Sequence, residues 1–153
     1  MAILRDEGFE DSKTEVEFSL YPDTQPYSPS APNWIFVHLR FLFGDRFPEI
    51  SIRRNGQDEK DIEHLIAGLQ KLVSGEISTF EFEPVEPDYT MTFVKEAEGY
   101  VVRISIDSGG VLGGTYASSG PAVLLMANRE GLRRFAEGLS TEFAKLRPTP
   151  SGS

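Results

Sequence analysis

Seven carboxylates crowd one short stretch of this chain. Glu76, Glu81, Glu83, Glu86, Asp88, Glu96 and Glu98 stand against a single basic residue, Lys95, a net of six negative charges. Carboxylates this close can hold a divalent cation, work as an acid–base pair, or meet a basic partner. The Asp-x-Asp-x-Asp-Gly spacing of a calcium loop is missing. On a strand, Glu81 and Glu83 face solvent opposite Phe80 and Phe82, with Glu86 and Asp88 on the adjoining turn, and a charged outer face is the usual fate of such residues. A solvated face therefore ranks first, a partner-binding surface second, and metal binding or catalysis third.

The other residues with chemical potential do not assemble into a set. His38 sits on a strand face between Phe36 and Arg40, where packing is the commoner role than general base. His64 lies off the apolar stripe of its helix. Two distant histidines make a poor metal site, and no His-Glu-x-x-His occurs. No serine occupies a Gly-x-Ser-x-Gly elbow. Five of the fourteen glycines fall in 109–120, but Gly114 is followed by Thr115-Tyr116 rather than Lys and Ser or Thr. The next helix starts only near Asn128, so neither a P-loop nor a dinucleotide turn fits, and a flexible loop or a bulged strand is the simpler reading. Tyr21, Tyr27 and Trp34 flank a segment holding four of the ten prolines, Pro22 to Pro32. Such aromatics serve either as interface anchors or to fold the loop onto the domain.

The elements that must position these residues follow from periodicity. In Ile62 to Leu69 and again in Leu132 to Leu139, large apolar residues fall at i, i+3 and i+7, with Ile66 or Ala136 at i+4 and a Gly before the final Leu. That is a helix with one buried stripe. The 70-residue register between the two windows is that of an internal repeat. Asp58, with Asp61 three residues on, is the expected N-cap of the first helix, Ser74-Gly75 its end, and Asn128 the cap of the second, which stops at Arg147-Pro148. Strands are expected at Thr14 to Tyr21, Trp34 to Phe43, Ile50 to a turn at Asn55-Gly56, Thr79 to Pro84, Tyr89 to Phe93, Tyr100 to Ile106 and Ala122 to Met126.

Composition bounds the class. A chain of 153 residues suits one domain with a real core, and 39% apolar residues with eleven Phe exclude global disorder. No Cys is present, which removes disulfides, thiolate metal sites and cysteine nucleophiles and fits a reducing compartment. Met1 to Asp11 shows no apolar h-region, and no stretch approaches the roughly 20 apolar residues of a membrane span. Fifteen basic against 24 acidic residues give a charge of −9. This opposes nucleic-acid binding and suits either solubility alone or a basic protein partner.

The order of motifs resembles the WapI-type immunity proteins of bacterial polymorphic toxin systems. Asn33-Trp34-Ile35-x-Val37-x-Leu39 precedes a further strand and a helix opened by Asp61 with Leu65 and Leu69. Phe82-Glu83-Pro84-x-Glu86-Pro87, a meander and a closing amphipathic helix complete the likeness over about residues 14–146. The resemblance implies a cytoplasmic antitoxin that binds one cognate toxin domain, without enzyme activity or cofactor.

Together these readings predict an α+β domain: a single, mainly antiparallel sheet of six to seven strands with two amphipathic helices packed on one face. Residues 14–146 would form that domain, with residues 1–13 and 147–153 flexible. The expected partner is a protein toxin, with no metal, nucleic acid or membrane, and the expected contact residues are Glu81, Glu83, Glu86, Asp88, Tyr27 and Trp34. Two alternatives stand beside it: a homodimeric scaffold pairing through sheet edges, and a small enzyme with scattered carboxylates.

Overall fold

A computed structural model describes residues 1–22, 34–45, 47–112 and 115–146, with Arg54 followed along its backbone only. Tyr27, most of the proline-rich segment and the tail from residue 147 lie outside the described residues. The first half of the chain runs β1 (Ala2–Arg5), a one-turn helix α1 (Phe9–Ser12), β2 (Thr14–Pro22), β3 (Ile35–Phe43), β4 (Ile50–Gln57) and helix α2 (Glu59–Ser74). The second half runs β5 (Thr79–Phe82), β6 (Tyr89–Glu96), β7 (Gly99–Ile106), a one-turn helix α3 (Ser108–Val111), β8 (Ala122–Ala127) and helix α4 (Arg129–Leu146). Each half is thus a four-stranded antiparallel meander followed by a long helix, and the repeat suggested by the helix register is visible in the topology.

The expected single sheet is therefore corrected to two, ordered β1-β2-β3-β4 and β5-β6-β7-β8. The reason lies in the connections. The 16-residue α2 stands between β4 and β5 and carries the chain away before the second meander begins, so β4 and β5 do not pair. Nor do the helices lie side by side on one sheet. They pack on each other, α4 additionally against β1 and β2, and α2 against β5, so each helix serves the other half's sheet.

Residues 1–13, read as a polar start, include β1. Its Ala2 and Leu4 alternate into the core and it pairs with β2 from Ala2↔Phe18 to Arg5↔Glu15. Ile3 between Ala2 and Leu4 breaks the apolar–polar alternation by which the equally short β5 is read as a strand. The turn expected at Asn55-Gly56 is likewise absent, because β4 continues through it, pairing Asn55 with Val37 and Gly56 with Phe36. A register shift between Val37 and Leu39 absorbs the mismatch. Tertiary partners described below hold these two residues extended.

The helix ends follow their residues. The Asp58 carboxylate accepts the Asp61 N–H at 2.8 Å, and Gly75 closes α2 at φ 81°, a left-handed conformation that suits Gly. The Asn128 side chain accepts the Gly131 N–H at 2.7 Å at the start of α4. One apolar core joins both inner sheet faces and both helix stripes: the Phe18 ring on β2 meets Tyr89 on β6 edge-on at 6.4 Å and Phe135 on α4 at 6.2 Å.

Candidate functional site

The acidic segment divides into two kinds of carboxylate. Glu86 and Asp88 are spent on the fold. The Glu86 carboxylate accepts the Gly56 N–H at 2.7 Å, and a Cβ at Gly56 would stand 2.9 Å from it. The Asn55 side-chain N–H₂ donates to the Glu86 carbonyl and to the Asp88 carboxylate, both at 2.8 Å. Gln57 donates to Asn55 and to the Tyr89 hydroxyl. Asn55, Gln57 and Tyr89 are fully buried, and burial pushes the Tyr89 hydroxyl well above its ordinary pKa. This polar knot ties the end of the first sheet to the β5–β6 turn of the second. Gln57 Oε1 alone in it has no partner among the described residues, and the bonds that are made specify one arrangement of the parts they join.

Glu81 and Glu83 are different. Both are exposed, and neither forms a hydrogen bond or ion pair among the described residues. Glu81 lies on the outer face of the second sheet, where the register aligns Glu81, Thr92, Arg103 and Leu124 in one row across all four strands. Glu83 lines a cleft of about 400 Å³ on the same face, together with Thr90, Arg103, Ser105, Tyr116 and Ala122.

The first sheet's outer face offers a contrast. Its carboxylates are neutralised internally. Arg5 pairs with Glu15 at 2.9 Å, and Arg40 reaches Glu17 at 2.7 Å and Glu49 at 2.7 Å. The bonds from Arg40 first, and then from Ser51, lower the Glu49 carboxyl to about 2. Two sheets of the same topology therefore present one self-neutralised face and one with unpaired carboxylates.

The described part of the glycine-rich segment forms α3 and, from residue 115, an irregular return to β8. Asp107 caps α3 and accepts N–H groups from Gly110 at 2.9 Å, Ala117 at 3.1 Å and Ser118 at 2.7 Å. Those bonds, led by that of Gly110, hold its carboxyl below the usual carboxylate range. Gly120, at φ 155°, passes so close to the Ile106 carbonyl that no Cβ fits. The loop is thereby pinned beside the cleft, with Tyr116 on its wall.

Trp34 is half-buried at the start of β3. Its neighbour Ile35 pairs with Gln57, so it belongs to the end of the first sheet that carries the polar knot. His64 is exposed with its ring edge-on to Phe80 at 5.4 Å, and His38 Nε2 is buried without a partner among the described residues. No three His, Cys, Asp or Glu side chains converge as a metal site among those residues, and no helix is long and apolar enough to cross a membrane.

Sequence reasoning missed Leu124 and Met126. The run Ala122–Ala127 reads as a short apolar strand, and its Val123, Leu125 and Ala127 are indeed buried. Leu124 and Met126 point the other way, 64% and 39% exposed. A run that is apolar on both faces was the available signal, but only the topology shows that β8 ends the sheet with nothing laid over its outer side.

Fold and surface together define a small two-sheet α+β domain whose distinctive chemistry lies on an outer sheet face. A family model described as the Immunity protein WapI-like family matches residues 9–147, and the chain belongs to that family. No curated protein and no solved structure matches it.

Proposed function

We propose that this chain is an immunity protein that binds one cognate toxin domain and neutralises it by covering its active or substrate-binding surface, in the cytoplasm and without any reaction of its own. Membership of the WapI-like immunity family carries this reading. The charge of −9 and the unpaired Glu81 and Glu83 favour a toxin that is basic and nuclease-like where it is covered, since complementary charge speeds encounter and rejects wrong partners. Glu81 and Glu83 form the centre of the proposed contact. Glu86 and Asp88 form its border, where their first duty is to the fold, and Trp34 and Tyr27 are the aromatic residues assigned to the same contact.

The test is co-expression with the toxin domain encoded beside its gene. The unmodified chain restores growth and binds the purified toxin domain. The double variant Glu81→Lys/Glu83→Lys, reversed at two exposed positions, keeps its melting temperature but binds at least tenfold more weakly, and its residual binding is less sensitive to salt. Unchanged affinity removes this face from the contact. Absence of both binding and protection by the unmodified chain ends the immunity reading.

A further inference from the structure

The backbone of β8 faces two ways. Val123 and Leu125 direct their N–H and C=O groups into β7, and Pro121 directs its carbonyl there, accepting the Ile106 N–H at 2.9 Å. Ala122, Leu124 and Met126 direct theirs to the open side. Met126 is satisfied there by the first half of the chain: its carbonyl accepts the Glu7 N–H at 2.6 Å, and its own N–H donates to the Asp6 carboxylate at 2.8 Å. Ala122 and Leu124 have no such partners among the described residues. Here an edge with unused ladder groups coincides with an exposed leucine and, through Ala122, with the wall of the cleft that holds Glu83. Exposed edges are normally blunted by charge, Pro or a covering element; here Asp6 and Glu7 cover the Met126 end and Pro121 precedes the other, which leaves Ala122 and Leu124 uncovered among the described residues.

We infer that the Ala122–Leu124 edge receives an extended segment of the toxin as a fifth strand of the second sheet. The inference rests on the immunity reading above. Main-chain bonds to Ala122 and Leu124 supply registry. An apolar side chain of the segment covers Leu124, and a basic one enters the cleft toward Glu83. A second copy of this chain is the weaker occupant, because it would set one charge of −9 against another and bring like acidic faces together.

Hydrogen exchange of the unmodified protein, alone and with the purified toxin domain encoded beside its gene, tests this directly. The Leu124 and Ala122 amides exchange quickly in the free chain and slow at least tenfold in the complex. Leu124→Pro removes an N–H that the β7 ladder does not use, so it keeps the melting temperature and lowers toxin affinity at least tenfold. Binding with both amides still fast overturns the edge and leaves the immunity reading intact. Slowing that grows with the concentration of the chain alone, with a dimer in sedimentation, overturns it in favour of a second copy. Failure of the chain either to bind or to protect overturns both readings.

Discussion

Asn55 is a polar residue in a site with no exposure, and its value comes from what it satisfies. Its side-chain amide provides for the Glu86 carbonyl and the Asp88 carboxylate, and its oxygen accepts from Gln57. Replacing it by Ala takes one partner from each of those groups and leaves a gap in a buried polar cluster. The cost is roughly 1–3 kcal/mol. Urea denaturation of Asn55→Ala should show the midpoint lowered accordingly with an unchanged m-value. The residue types here were readable in advance, but their employment was not. Glu81, Glu83, Glu86 and Asp88 look equivalent as a list of acids. Only the approach of β4 from a distant part of the chain divides them into two that hold the fold and two that face outward. The Asn55-Gly56 pair misleads for the same reason, since its local turn preference yields to bonds from residues some thirty positions away.

At the scale of elements, each long helix has a Gly before a buried Leu, and the structure supplies the cause. Gly68 on α2 lies under the Phe80 ring of β5, and Gly138 on α4 lies beside β1, where a Cβ would stand 3.1 Å from Ala2 Cβ. In each case the glycine lets the first strand of a sheet approach the helix. Ala ordinarily adds about 1 kcal/mol of helix propensity over Gly. At Gly68 the new methyl meets a ring already stacked on Phe93 at 6.0 Å, and overpacking costs about 1–3 kcal/mol. Gly68→Ala should therefore lower the thermal midpoint, while Gly138→Ala, with more room, should change it little. Differential scanning calorimetry of the two variants decides the matter. Helix periods, caps and most strand faces were legible because they depend on residues a few positions apart. The split into two sheets was not, because alternation says which face of a strand is buried and is silent about which edges pair. β1 escaped notice because Ala2-Ile3-Leu4 shows no apolar–polar alternation, and the exposure of Leu124 is a fact about the sheet's border.

The whole molecule behaves as one unit despite its two repeats. Each long helix covers the opposite half's sheet, and Phe18 touches both Tyr89 and Phe135. Neither half can keep its core if the other departs. Trp34, the sole tryptophan, reports on the first sheet, while far-UV circular dichroism reports on both. The two signals should trace the same unfolding midpoint, and Phe18→Ala should shift both together, with a loss of stability of about 3–5 kcal/mol. Two separated midpoints would show the halves to be independent.

The bonds from Asp6 and Glu7 to Met126 reach across 120 positions of chain. During synthesis every residue up to Met126 must leave the ribosome before that tie can form. Until then the first meander waits with its inner side uncovered by α4. A chain shortened to end before β8 should therefore be digested by protease faster than the unshortened one.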